Sequence, residues 1–396
     1  MKLLYIANIR LPTEKAHGLQ IMQNCEAFAD AGADVTLWAA RRVNTQAMRA
    51  IVDVYVHYGV APRFTIRRVP CVDLLPLVPD RSDALAKVIF ALQWFTFTLS
   101  ALIGVLFARA DVIYSRDALI LLACSLVKPK KTLVYEPHTL SNGRFGRWLQ
   151  RTTIKRVGAV IPLTRKLADD LIALGAAPSR VLVAHDGVRA ARFADLPTRE
   201  AARTQLGWAR ELFVVGYAGR LHTMSMDKGV GALVEALAQV GGCALALVGG
   251  PDDMAAALRD QWVAAGIEAA HFLYAGQVAP DRVPAILAAF DVCAMPFPFT
   301  PHFAYYMSPL KLFEYMAVRR VVIASDLPSI REVLTHNENA LLVPPGDVSA
   351  LADAIRLLRD DVALRDRLAD HAYRTVMTDY LWSARAQRIL RHITTI

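Results

Sequence analysis

Leu3-Leu-Tyr-Ile-Ala7, Gln20-Ile-Met-Gln-Asn-Cys-Glu-Ala-Phe-Ala-Asp-Ala31 and Asp34-Val-Thr-Leu-Trp-Ala39 read in turn as strand, helix and strand. Two short apolar runs joined by a helical crossover make a βαβ unit, whose strands must lie parallel. Working outward, residues 112–114, 132–135, 159–162 and 181–184 are further buried-strand candidates, each bounded by polar, Pro or Gly positions. Together they predict a first parallel sheet. Residues 185–206 lack periodicity, and the pattern then restarts at Phe213-Val-Val-Gly-Tyr-Ala-Gly219. Strands are expected at 244–248, 271–274, 292–295, 321–324 and 340–343, with helices between them, which is a second doubly wound sheet. The expected division is residues 1–189, residues 190–378, and a terminal stretch, 379–396, that returns to the first domain and makes a two-stranded hinge.

At 396 residues, with 55% apolar and 20% charged side chains, the chain has the composition of a folded protein of two domains, and disorder is excluded. The net charge of +9 is uneven: residues 1–190 hold 25 Lys+Arg against 14 Asp+Glu, and the rest 20 against 22. A first half at +11 implies an anionic partner, and a membrane surface or phosphorylated substrate is expected rather than nucleic acid. The five cysteines form no C-x-x-C pair and have no histidines at metal-ligand spacing, which predicts a reduced, cytoplasmic protein with no metal site. The opening MKLLYIANIR is too short for a signal-peptide core and suits a strand. Residues 85–108 carry one charge, Lys87, but Gln93, Thr96, Thr98 and Ser100 interrupt the run. A buried or membrane-surface helix is expected there in preference to a span.

Glycine at a strand-to-helix turn lets backbone N–H groups approach an anion, and the following helix N-terminus adds partial positive charge. The second domain offers this repeatedly, at Gly219-Arg220, at Gly249-Gly250, and at Ser308-Pro-Leu-Lys311 opening the helix with Phe313-Glu-Tyr-Met-Ala317. Arg220 and Lys228 could clamp a diphosphate, and Glu314 suits a pair of ribose hydroxyls.

The run Ser308-Pro-Leu-Lys-Leu-Phe-Glu-Tyr-Met-Ala317, followed by Val321-Val-Ile-Ala-Ser-Asp-Leu-Pro328 and Glu332, closely resembles the donor-site signature of retaining GT-B glycosyltransferases of family 4. Gly18-Leu-Gln-Ile21 looks like that family's glycine loop, Asp186-Gly-Val188 like its interdomain Asn-Gly-Val, and Gly219-Arg220 with Lys228-Gly229 like its phosphate clamp. The resemblance implies an α/β GT-B architecture of two Rossmann-like doubly wound domains facing a cleft. It implies transfer of a hexose, with retention, from a UDP- or GDP-type sugar to an acceptor hydroxyl, without a metal. Donor contacts then fall to Gly18, to Arg220 and Lys228 on the diphosphate, to the Leu310 and Lys311 amides, and to Glu314 on the ribose. His138, in Tyr135-Glu-Pro-His138, is placed near the reacting sugar.

Two positions depart from the family pattern. Tyr306 stands eight positions before Glu314, where the family has a second glutamate, so a sugar contact there falls to a tyrosine. Arg220 and Lys228 are two residues farther apart than usual, with His222-Thr-Met-Ser-Met226 between them as a loop expected to touch acceptor or membrane. A sugar-nucleotide 2-epimerase of the same fold and a catalytically inactive membrane scaffold are the rival readings. The segment from Arg144 carries Arg147, Arg151, Lys155 and Arg156 with Phe145, Trp148, Leu149 and Ile154 between them. On a helix this predicts a basic face beside an apolar one, suited to an anionic membrane and a lipid-linked or glycan acceptor, in a cytoplasmic, peripheral enzyme of bacterial glycolipid or surface-polysaccharide synthesis.

Overall fold

A computed structural model describes residues 1–78, 84–223 and 226–396. The chain forms two units, Met1–His185 joined by Trp382–Ile396, and Asp186–Leu381, so it passes from one to the other twice.

The first unit is built on β1 (Lys2–Ala7), β2 (Asp34–Ala40), β3 (Thr65–Val69), β4 (Val112–Ser115), β5 (Leu133–Tyr135) and β6 (Ala159–Val160), in the order β3-β2-β1-β4-β5-β6. All pairs are parallel; Leu3 on β1 stands opposite Val35 on one side and Val112 on the other. Strand order reverses between β1 and β4, and the carboxyl ends of such a pair are where open α/β sheets bind ligands. β4 and β5 are buried throughout, as central strands covered by helices on both faces must be. Residues 181–184, expected as a strand, lie parallel beside β6, with a bridge from Val181 to Val160 and the Leu182 and Ala184 N–H groups donating to the Val160 and Pro162 carbonyls at 3.0 and 2.9 Å, though they form no longer ladder. β3 was not expected, because an edge strand carrying Arg67 and Arg68 lacks the continuous apolar run that marks buried strands.

The second unit repeats the plan with β7 (Phe213–Ala218), a hairpin of β8 (His222–Thr223) and β9 (Met226–Asp227), β10 (Cys243–Val248), β11 (Phe272–Gly276), β12 (Val292–Met295), β13 (Val321–Ser325) and β14 (Leu341–Val343). Its parallel sheet runs β11-β10-β7-β12-β13-β14, with the reversal between β7 and β12. Residues 224–225 of the expected contact loop lie outside the described residues. Gly216 in β7 is required by packing, since a Cβ there would stand 2.0 Å from the Phe290 ring. Asp291, buried at the start of β12, is held by Arg203 at 2.5 Å, Arg199 at 2.6 Å and the Val214 N–H at 2.7 Å.

Two helices of the first unit differ in how they pack. Ala84–Phe107 is 24 residues long, about 36 Å at 1.5 Å per residue. It buries Ala86, Gln93, Phe97, Ala101 and Val105, and exposes Leu85, Val88, Leu92, Phe95, Leu99 and Ile103. One stripe packs chiefly against the helix Ala118–Cys124, with weaker contact to β3, and the opposite, equally apolar side is left uncovered within the unit. The returning helix, Trp382–Thr395, packs against the helix Ala16–Asp30 through Trp382, Ala386 and Ile389. Its Arg385 is buried and donates to Glu136 Oε2 at 2.8 Å, Asn24 Oδ1 at 3.0 Å and the His185 carbonyl at 2.9 Å.

Removing one partner of a buried ion pair leaves the other charged and unsolvated, at a cost of about 3–5 kcal/mol. Arg385→Leu is therefore expected to destabilise the protein by that amount in urea unfolding followed by tryptophan fluorescence. A loss under about 1 kcal/mol would show that the pair does not hold the returning helix.

Candidate functional site

In the first unit, chemistry gathers where β1, β4 and β5 end. A cavity of about 800 Å³ opens there, with Trp94, Arg116, His138, Arg144, Phe145 and Leu149 among its walls. Glu136 follows β5 directly and is fully buried beneath it. Its carboxylate meets Arg116 Nε at 2.9 Å, Arg385 at 2.8 Å and His138 Nε2 at 2.9 Å, and accepts from the Tyr114 hydroxyl. Burial alone would push the Glu136 carboxyl up, but the Arg385 and Arg116 guanidiniums and the His138 contact hold it well below the usual carboxylate range. It is ionised at neutral pH.

His138 has a side chain 29% exposed, on the cavity wall. Burial, and then the Arg116 charge, lower its pKa to about 4, while Glu136 pulls the other way. The imidazole is therefore neutral at pH 7. Facing an ionised carboxylate, Nε2 carries the hydrogen and donates it, so Nδ1 is left as an acceptor. Gly18, expected in a loop, instead lies in the first turn of the helix Ala16–Asp30, where a Cβ would stand 2.5 Å from the Tyr58 hydroxyl and 2.6 Å from Thr13.

In the second unit the site residues gather at the carboxyl ends of β7 and β10. Gly219 and Gly249, both with positive φ, bring these ends together so closely that a Cβ on Gly249 would stand 2.3 Å from the Gly219 carbonyl oxygen. Arg220 is exposed just beyond β7. Lys228 is buried, with Nζ 4.2 Å from the Phe303 ring centroid and 4.8 Å from that of Phe297. Burial lowers its pKa to about 8. The helix Leu310–Ala317 begins after Pro309 with no side chain capping it, which leaves the Leu310 and Lys311 amides directed out of its positive end. Glu314, one turn in, pairs with Arg192 at 3.0 Å. Tyr306 ends the short helix Pro301–Tyr305, and Ser308 Oγ accepts from the Asp186 N–H at 2.9 Å.

Arg144, Arg147, Arg151, Lys155 and Arg156 are all exposed on the helix Gly143–Arg156, while Leu149 and Ile154 are buried. Phe145 and Trp148 stand out from the same helix, 63% and 56% exposed, and stack at 5.8 Å. With the returning helix included, the first unit holds 27 Lys+Arg against 13 Asp+Glu, a balance of +14, leaving the second at −5.

The sequence reading did not single out Glu136, Arg116, Arg192 or Arg385. Glu136 carried the one available signal, an acid in the buried end of a strand. Arg385 acts 249 residues away in sequence, so local pattern held no trace of its partner.

Residues 213–361 match the family described as "Glycosyl transferases group 1", and residues 17–187 the "Glycosyl transferase 4-like domain". The chain is 24% identical over 261 residues to the alpha-D-kanosaminyltransferase of Streptomyces kanamyceticus, covering 61% of this chain and 62% of that one. It is 37% identical over 175 residues to the phosphatidyl-myo-inositol mannosyltransferase of Mycobacterium leprae, covering 43% of each. The matched part thus spans about half the length of these curated relatives. Among solved structures, Anabaena HepE in complex with UDP aligns over 100% of both chains with a TM-score of 0.73 at 20% identity. Sucrose-phosphate synthase from Thermosynechococcus elongatus aligns over 100% of this chain and 98% of its own with a TM-score of 0.77 at 18% identity.

With its pKa near 4, His138 is expected to show a carbon-bound ring proton that does not titrate between pH 8 and about 5.5, identified in the NMR spectrum by its absence in His138→Gln. A midpoint near 6.5 would mean that the Arg116–Glu136 surroundings do not set its protonation.

Proposed function

We propose, from the premise that this chain belongs to the group 1 glycosyltransferases of GT-B fold, that it moves a hexose from a UDP- or GDP-type sugar to an acceptor hydroxyl with retention of configuration. The observation that carries this is the second unit's strand-end site, where Arg220, Lys228 and an uncapped helix N-terminus converge and Glu314 lies one turn inside that helix. Cations and amides suit a diphosphate, and the carboxylate suits vicinal ribose hydroxyls once released from Arg192. Fixed positive groups stabilise charge on the departing diphosphate, the role a metal plays elsewhere, so no metal is required. Retention goes with attack on the face the diphosphate leaves, the diphosphate itself taking the acceptor proton.

His138 supplies a neutral ring with Nδ1 as acceptor, so its part is to orient a sugar or acceptor hydroxyl and to meet developing positive charge, and Tyr306 offers a hydroxyl to the transferred sugar. Arg220→Ala and Lys228→Ala each remove a charge-assisted contact of roughly 1.5–3 kcal/mol, about ten- to a hundredfold in affinity. Titration calorimetry is expected to show that loss for UDP or GDP and little for the nucleoside; equal losses would contradict the diphosphate assignment. In the same preparation His138→Ala is expected to bind donor normally and to lose transfer, measured with chelator present and with the product anomer read by NMR.

The acceptor in this reading is a lipid-linked or glycan hydroxyl at an anionic membrane surface, reached from the cytoplasm. Support comes from the +14 first unit, the exposed arginines and stacked aromatics of Gly143–Arg156, the uncovered apolar side of Ala84–Phe107, and a relative whose name gives a phospholipid acceptor. Each basic residue near such a surface contributes about 1 kcal/mol, enough in a cluster for reversible docking. Vesicle co-sedimentation is expected to rise with anionic lipid, to fall with salt, and to drop in the Arg147→Glu, Arg151→Glu, Lys155→Glu triple variant. Equal binding to neutral and anionic vesicles, or none, contradicts docking by charge.

A further inference from the structure

Lys311 is the second residue of the helix Leu310–Ala317, and its side chain turns back over the end of β7. Nζ lies 3.6 Å from the Tyr217 ring centroid and 5.4 Å from that of Phe297. Gly219 makes room for it, since a Cβ there would stand 2.8 Å from this nitrogen. Nζ is shielded from solvent and, among the described residues, has no hydrogen-bond partner. Lys228 shares the same Phe297 ring from its own side, at 4.8 Å.

A buried ammonium without a partner is costly, and ring faces offset only part of that cost. A leucine or methionine would fill this aromatic slot without it. The charged groups facing Lys311 are Lys228, which opposes its charge, and Glu314, which favours it but is paired with Arg192 at 3.0 Å. Around them the Tyr217 hydroxyl donates to the Arg220 carbonyl, the Tyr315 hydroxyl accepts from the Ala218 N–H, and Asp227 acts on Lys228 from the hairpin. Two lysines thus share one aromatic ring at a strand end, beside an uncapped helix N-terminus.

We infer that the Lys311 side chain, with Lys228, forms the cation pair that receives the donor's diphosphate, and that Lys311 takes up a proton from solvent as that anion binds. This rests on the donor reading above and adds to it a residue and a proton. Burial first, and then Lys228, hold the Lys311 ammonium well below the usual lysine range. An arriving dianion reverses the balance, because opposite charge favours the charged form. At most one proton enters at Lys311 per diphosphate bound, and no bond to carbon or phosphorus changes.

The test is titration calorimetry of UDP, GDP and the corresponding nucleosides at pH 7 in two buffers of different ionisation enthalpy, on wild type, Lys311→Met and Lys311→Arg. Wild type is expected to take up protons with the diphosphate and none with the nucleoside. Lys311→Met is expected to keep its melting temperature, to lose at least tenfold in diphosphate affinity, to spare the nucleoside, and to abolish most of the uptake. Lys311→Arg, always charged, is expected to bind the diphosphate within a few-fold of wild type with no uptake. Unchanged affinity and uptake in Lys311→Met overturn the inference alone; should that variant not fold, absence of proton uptake in wild type overturns it. Failure of wild type to bind either diphosphate contradicts the donor reading itself.

Discussion

A carboxylate buried without water must be met by positive charge, and Glu136 is where that requirement organises the first unit. Arg116 reaches it from the end of β4, Arg385 from the returning helix and His138 from two residues further along the chain. Through this one group the carboxyl ends of β4 and β5, the returning helix Trp382–Thr395 and the imidazole on the cavity wall are fixed together. The same cluster, two guanidiniums around one carboxylate, also sets the histidine's tautomer.

The second unit solves the opposite problem. Its strand ends bury Lys228 and Lys311 against aromatic rings, while the nearby carboxylate of Glu314 is engaged by Arg192. The first unit meets its buried carboxylate with its own guanidiniums, whereas the second buries two lysines whose pKa values burial lowers. The two sheets have the same winding, and what differs is the side chains at their carboxyl ends.

Most of the strand framework was legible in the sequence because central parallel strands are buried on both faces and read as unbroken apolar runs, as at Val292–Met295. The edge strand Thr65–Val69 escaped because one side faces water, whereas the apolar run at 181–184 does lie along β6, hydrogen-bonded through the Leu182 and Ala184 N–H groups. Gly18 read as a loop glycine, yet its place in a helix is dictated by Tyr58, forty residues on, which local pattern cannot reveal. Motif spacing located Arg220, Lys228 and Glu314 on their elements, but Lys311 was read for its amide and its side chain was overlooked. Which way a lysine turns is decided by the rings around it, not by its neighbours in sequence.

The central claim is that a nucleotide-diphosphate sugar is held by the second unit at the ends of β7 and β10 and the start of Leu310–Ala317. Hydrogen–deuterium exchange with and without saturating UDP- or GDP-sugar tests it most directly. Slowed exchange is expected in residues 217–223, 226–229 and 308–317, where the glycine turn, Lys228 and the uncapped amides lie. Unchanged exchange in all three segments, with protection confined to residues 1–185, would contradict it.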